Sequence, residues 1–177
     1  MLRYQRIEEF QINDQQQQAI NRLLQEAFDS YPNHLIYANQ LPSFRFLVWD
    51  NEKLVGHMAV EFRIVRVGEA IMRIFGIADL CVSIDYQQQN IASSLLQKLE
   101  KLGKQSQVDF ILLIAQDHGV YEKNGFQLVS NPCRWLMINQ QQTFGVGNRK
   151  LVDCLLVKQI GITKWQEGLV DLLGHIF

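Results

Sequence analysis

The stretch DYQQQNIASSLL, Asp85–Leu96, carries three consecutive glutamines where an apolar strand gives way to a helix. Upstream, AIMRIFGIADLCVS is rich in residues that favour strands. Downstream, Ile91, Leu95, Leu96, Leu99 and Leu102 recur at helical spacing up to Gly103, which reads as a C-terminal stop. At such a junction the first N–H groups of the helix have no intrahelical partner and lie at the positive end of its dipole. That is a phosphate site without a basic side chain. Wrapping backbone around a pyrophosphate needs a residue that tolerates left-handed geometry, and Asn is one of the few with a side chain that does. Asn90 stands at that corner, and Ala92 is small enough for close approach.

The surrounding pattern is mixed. LRYQRI reads as a first strand, and a helix capped at Asn13 or Asp14 runs to about Phe28, with Ile20, Leu23, Leu24 and Ala27 on one stripe. Phe44–Trp49 is a strand, and DNEK turns it into a second, Leu54–Val65. Alternation puts Leu54, Met58, Val60, Phe62 and Ile64 on a core face and His57, Glu61 and Arg63 on a wet one. FILLIA, Phe110–Ala115, suits a strand buried on both faces, and a short helix GVYEKN closes at Gly125. Strands at Phe126, Arg134–Ile138 and Leu151–Val157 follow, the last two joined by the polar NQQQTFGVGNR. The order implies one α/β (α+β) domain over residues 1–177, a mixed central sheet of about seven strands flanked by helices.

Lys plus Arg is 17 against 18 for Asp plus Glu, which offers no electrostatic excess for nucleic acid or an anionic membrane. No segment approaches the roughly 18 apolar residues of a bilayer span, and MLRYQRIEEF lacks a signal peptide's apolar run, so a cytoplasmic location is expected. Cys81, Cys133 and Cys154 are scattered, as are His34, His57, His118 and His175; neither a disulfide framework nor a metal site is indicated. GVGNRK lacks the third Gly of a dinucleotide loop, and no Gly-Lys-Ser/Thr exists for a P-loop.

Gln87, Gln88, Gln89, Asn90, Ile91 and Ala92 resemble the cofactor loop of the GCN5-related N-acetyltransferases (GNAT), Arg or Gln, two variable residues, Gly, any residue, then Gly or Ala, with Asn90 in place of the first Gly. LCVSIDY resembles the strand end before that loop, and YEKNGF, Tyr121–Phe126, resembles the family's second motif. Within the superfamily, LVGHMAVEFRIVRVGEAIMRIFGIADLCV looks most like the aminoglycoside 2'-N-acetyltransferases and, more faintly, the nodulation N-acyltransferases.

The resemblance implies acetyl-CoA as co-substrate and no metal. Coenzyme A would lie along Leu80, Cys81, Val82, Gln87, Gln88, Gln89, Asn90, Ile91, Ala92 and Ser93, its pyrophosphate on the Gln88–Ser93 backbone and its pantetheine arm on the Leu80–Val82 edge as an added strand would lie. Tyr121 matches the tyrosine beside the thioester sulfur and is the acid candidate. A backbone N–H near Cys81 or Val82 would serve the oxyanion. The aminoglycoside enzymes carry a glutamate where this chain has Ala78; Asp79 is the adjacent carboxylate and the first base candidate if a bulge turns it, with His57, Glu61, Asp117 and His118 in reserve. The expected reaction is acetyl transfer to a primary amine of a small molecule, with a longer acyl donor or a non-catalytic acyl-CoA module as alternatives. The loops after Tyr31 and the apolar tail EGLVDLLGHIF would border the acceptor, and the tail would dock on the body or on a second subunit, making a homodimer.

Overall fold

The computed structural model describes residues 1–29 and 31–177. The chain runs β1 (Leu2–Glu8), α1 (Asp14–Ala27), β2 (Phe44–Asp50), β3 (Lys53–Val67), β4 (Ala70–Val82), α2 (Ile91–Gln105), β5 (Phe110–Ile114), α3 (Gly119–Lys123), β6 (Gln127–Leu128), β7 (Pro132–Asn139), β8 (Gln142–Lys150), β9 (Leu155–Gln159) and β10 (Val170–His175). Asn13 caps α1 through a reciprocal box: its side chain accepts from Gln16 N at 2.9 Å, and Gln16 Oε1 accepts from Asn13 N at 3.0 Å.

The expected mixed α/β fold is what forms, with ten strands in one sheet where about seven were expected. Eight follow one another in the order β6-β9-β5-β4-β3-β10-β7-β8, while β2, carrying β1, branches from β3. The long strand β3 therefore shares one edge between two partners: β2 from Lys53 to Val60, and β10 at Arg66 and Val67. Its other edge belongs to β4. Alternate residues of β2 feed opposite layers, Phe46 and Val48 joining Leu95, Leu96 and Leu99 of α2, and Leu47 and Trp49 joining Ile20, Leu23 and Leu24 of α1. A third cluster, with Ile74, Leu112, Leu155 and Val170, holds β4, β5, β9 and β10 together.

Several expectations need correction. The supposed wet face of β3 is covered by α1, its following loop and the C-terminal tail, so His57 is fully buried and Glu61, bonded to His175, nearly so; Phe62 and Ile64, expected in the core, are 49% and 50% exposed. Gly103 does not end α2, which continues to Gln105 and stops where Gln107 turns left-handed at φ 54. The glycine allows close packing instead: a Cβ there would meet Ile160 Cδ1, which would have to shift. NQQQTFGVGNR is not a linker, because Gln142–Lys150 forms β8 and pairs with β7 along its whole length. The strand expected from Leu151 begins only at Leu155. Among the described residues, no helix is long and apolar enough to cross a membrane.

Candidate functional site

The parallel strands β4 and β5 pair only from Ile74–Phe110 to Ile77–Leu113. Immediately beyond, the β3–β4 register slips: Ala59 faces Ala78 and His57 faces Cys81, so Asp79 and Leu80 stand opposite Met58 alone. Asp79 takes φ 52 at this bulge. Leu80–Val82 keep β3 on one side and gain no strand on the other, while β5 leaves toward α3. A groove of about 880 Å³ opens between the parted strands. Leu80, Cys81 and Val82 form one wall; Ala115, Asp117 and Val120–Tyr121 form the facing one.

The floor of the groove is the strand-to-helix junction. After Val82 the chain makes a short 3-10 turn, Ile84–Tyr86, held by Tyr86 N donating to Ser83 O at 2.8 Å. Ser83 Oγ and Ile84 N both donate to Glu26 Oε1, at 3.0 and 3.4 Å, which ties the turn to α1. Gln88 and Asn90 are both left-handed, at φ 61 and φ 60. The geometry expected of Asn90 is present, and Gln88 adds a second left-handed residue that sequence reading missed. The first helical bond of α2 is Ser94 N to Asn90 O. Among the described residues, no acceptor takes the backbone N–H of any residue from Gln88 to Ser93. Six amides in succession are thus available at the positive end of a helix dipole, a donor set that suits a pyrophosphate.

Of the site residues expected from sequence, Leu80, Cys81, Val82, Gln87, Gln88, Asn90, Ile91, Ala92, Ser93 and Tyr121 line this one groove. Gln89 is turned away, its Nε2 donating to Asp85 O at 3.3 Å, and Asp79 lies behind the wall. Tyr121 packs edge-on against Phe126 with ring centroids 5.8 Å apart, and burial, aided by Asp117, pushes its hydroxyl up to about 12. It is therefore a proton holder at neutral pH. Asn124 Nδ2 donates to Ser93 Oγ at 2.9 Å and to Val120 O at 2.7 Å, fixing α3 against the start of α2. Burial, then the charges of Asp79 and Glu26, raises Cys81, which stays a thiol.

Behind the wall sits a polar chain that alternation along β3 did not reveal. Tyr31 Oη donates to Asp79 Oδ2 at 2.7 Å. Burial raises the Asp79 carboxyl, while the Tyr31 bond and the Arg45 charge hold it back. His57 Nδ1 bonds Asp79 O at 2.8 Å, and Arg45 Nη1 bonds His57 Nε2 at 2.9 Å. Arg45 is itself gripped by both carboxylate oxygens of Glu9, at 2.6 and 3.0 Å. Burial first and Arg45 second lower His57 to about 3, which removes it from the reserve bases at neutral pH. Glu61 is committed to Arg63 at 3.2 Å and His175 at 3.0 Å. His118 Nε2 bonds Asp153 O at 2.8 Å, and Asp117 Oδ1 accepts from Gly119 N at 3.0 Å. Nothing in the sequence signalled that Tyr31 would meet Asp79; an Arg within an apolar strand, Phe44–Trp49, was the available hint of a buried charge partner.

The family model described as an acetyltransferase (GNAT) domain matches residues 10–129, more than half of the chain. The chain belongs to the GNAT acetyltransferase family. Solved structures give the same fold. The GNAT family N-acetyltransferase YhbS from Escherichia coli, crystallised in complex with CoA, superposes with a TM-score of 0.65 at 18% identity over 97% of this chain and 88% of its own. Escherichia coli ElaA gives 0.62 at 17% over 90% and 100%. The ribosomal-protein-S18-alanine N-acetyltransferase from Escherichia coli gives 0.59 at 13% over 93% and 97%. At such identities the likeness speaks to the GNAT fold, and the narrower resemblance to the aminoglycoside enzymes gains no support from it. Within the GNAT fold, the open amides of Gln88–Ser93 and the unpaired edge of Leu80–Val82 are the residues that fit coenzyme A. Among the described residues no group of three or more His, Cys, Asp or Glu is placed to hold a metal.

Proposed function

We propose that this GNAT chain is an acetyl-CoA-dependent N-acetyltransferase that acetylates a primary amine of a small molecule by direct attack within a ternary complex. The observation that carries the reading is the continuity of one groove, from the unpartnered amides of Gln88 and Asn90–Ser93, along the open Leu80–Val82 edge, to the protonated phenol of Tyr121. Bound acetyl-CoA supplies an acetyl group activated as a thioester. The chain's own residues supply the rest. The amides hold the diphosphate, and the β4 edge aligns the peptide-like arm. A backbone N–H at Cys81 or Val82 stabilises charge that develops on the carbonyl oxygen. Tyr121 hydrogen-bonds and gives its proton to the thiolate that departs as the carbon–sulfur bond breaks, so that coenzyme A leaves as a thiol of pKa about 8.5.

Asp79 takes the proton of the attacking amine. Its carboxyl is raised by burial, which makes it a stronger base than a solvated aspartate while the Tyr31 bond keeps the ionised form accessible. Asn39 Nδ2 donates to Ile176 O at 3.0 Å, which joins the loop after Tyr31 to the C-terminal tail, and in this reading the two border the acceptor.

Calorimetry with CoA together with thiol release from acetyl-CoA and longer acyl-CoA donors across a panel of amines tests this reading. The expected result is CoA binding with amine-dependent thiol release that favours acetyl-CoA. Binding without thiol release would make the chain an acyl-CoA-binding module, and preference for a longer donor would make it a different acyltransferase. Absence of any CoA binding would remove the proposal altogether.

A further inference from the structure

We infer that His57 is a positioning residue for acyl transfer: through its bond to the Asp79 carbonyl it holds the β4 bulge in its left-handed state, and so fixes the turn of Leu80–Val82 toward the groove. The inference rests on the function proposed above, since it assigns His57 to that same site.

The bulge is a backbone arrangement that needs support. Asp79 sits at φ 52, left-handed geometry that aspartate tolerates better than most residues but that still costs backbone energy inside a strand. Because the register slips there, the β3–β4 ladder is interrupted beside Met58, and the Asp79 carbonyl depends on a partner outside the ladder. That partner is the imidazole of His57, at 2.8 Å. The ring is fully buried, so water has no access to replace it.

Direction of the bond follows from chemistry. A guanidinium can only donate, so Arg45 Nη1 gives a proton to His57 Nε2 at 2.9 Å. Nε2 is then the acceptor, and the single ring proton resides on Nδ1, where it is donated to Asp79 O. Arg45 from β2 thereby selects the tautomer that serves the bulge, and Glu9 holds Arg45 through both carboxylate oxygens. The charged and titratable groups around His57 are Arg45, Glu9 beyond it, Asp79 with its partner Tyr31, and the Cys81 thiol opposite on β4. A second cation beside Arg45 is excluded, which keeps the ring a neutral donor.

The residues that bind the diphosphate lie in another segment, Gln88–Ser93, and their geometry is set by the Ile84–Tyr86 turn and by α2. Loss of the His57 bond therefore falls on the reacting end of the groove and spares the anchoring end. Asn at this position brings an amide donor to the place of Nδ1 and can restore the bond; Leu cannot.

The test compares the full chain with His57→Leu and His57→Asn. In His57→Leu, kcat for thiol release from acetyl-CoA, with the amine giving the highest wild-type rate, should fall about tenfold or more, the scale expected of a misplaced reacting group. The Kd for CoA by calorimetry should stay within about threefold, and His57→Asn should recover most of the rate. Independently of turnover, nitrogen-15 NMR of the wild-type ring should show a neutral imidazole protonated at Nδ1, and the amide shifts of Leu80–Val82 should move in His57→Leu while those of Gln88–Ser93 do not. A ring protonated at Nε2, or His57→Leu with unchanged kcat and unchanged Leu80–Val82 shifts, would overturn the inference. If His57→Leu fails to fold, the wild-type tautomer and the kcat of His57→Asn decide it. Should the wild type bind CoA yet turn over no donor, the catalytic reading fails alone, and the tautomer and amide shifts still answer for His57.

Discussion

Tyr31 Oη lies 2.7 Å from Asp79 Oδ2 and donates to it, joining the loop after α1 to the bulge of β4 across 48 residues of sequence. The bond satisfies a carboxyl that is otherwise largely removed from water, and it favours the ionised form that burial opposes. Two consequences separate cleanly.

Replacing Asp79 by Asn should raise thermal stability at neutral pH while abolishing most turnover. A carboxyl whose folded pKa is raised binds its proton more tightly folded than unfolded, so its contribution to stability is present at low pH and is lost as pH climbs through the ordinary carboxylate value of 3.8 toward the raised one. Asn keeps an acceptor for Tyr31 and removes the buried charge. Thermal melts of both proteins near pH 7 and near pH 3 check the sign: the advantage of the variant should appear only at the higher pH.

Tyr31→Phe removes the hydrogen bond that opposes burial, so Asp79 should be raised further. The acid limb of the kcat/KM profile should accordingly move to higher pH, with the alkaline limb unmoved. An unshifted acid limb would detach Asp79 from the base role.

Tyr121→Phe should lower kcat at least about tenfold, within the range of general acid catalysis, and leave CoA affinity nearly intact. Single-turnover rates alongside calorimetry measure the two quantities separately. Equal rates for the two proteins would take Tyr121 out of the proton transfer.

Asn90→Val should weaken CoA binding, because a β-branched residue resists the φ of 60 that Asn90 holds; left-handed backbone costs such a residue about 1–2 kcal/mol, or roughly a factor of five to thirty in Kd. Asn90→Gly should bind as the wild type does. Calorimetry on the pair distinguishes a backbone requirement from loss of the asparagine side chain.

Legibility in the sequence followed how local each determinant is. Asn90 could be read because the demand for positive φ falls on one residue at a strand-to-helix junction. The α1 and α2 stripes could be read because burial of one helix face repeats within a few residues. Strand β8 could not: it is an edge strand exposed along nearly all its length, so no apolar alternation marks it, and its conformation comes from pairing with β7. His57 was misassigned because alternation tells which residues share a face and leaves open what covers that face. Gln88 escaped notice because glutamine is an uncommon residue at positive φ. The contact between Tyr31 and Asp79 depends on a loop crossing the sheet, which no periodicity encodes.

The divided edge of β3 leaves one of its seams short. β2 holds that edge through seven register pairs, Phe44–Val60 to Asp50–Lys53, whereas β10 holds it through only two, Val170–Val67 and Asp171–Arg66. Strands β7, β8 and β10 should therefore detach as a unit and surrender their amide protons to deuterium before β2, β3 and β4 do. Partial melting would begin at the far end of the sheet, while β2, β3 and β4, which frame the groove, stay paired.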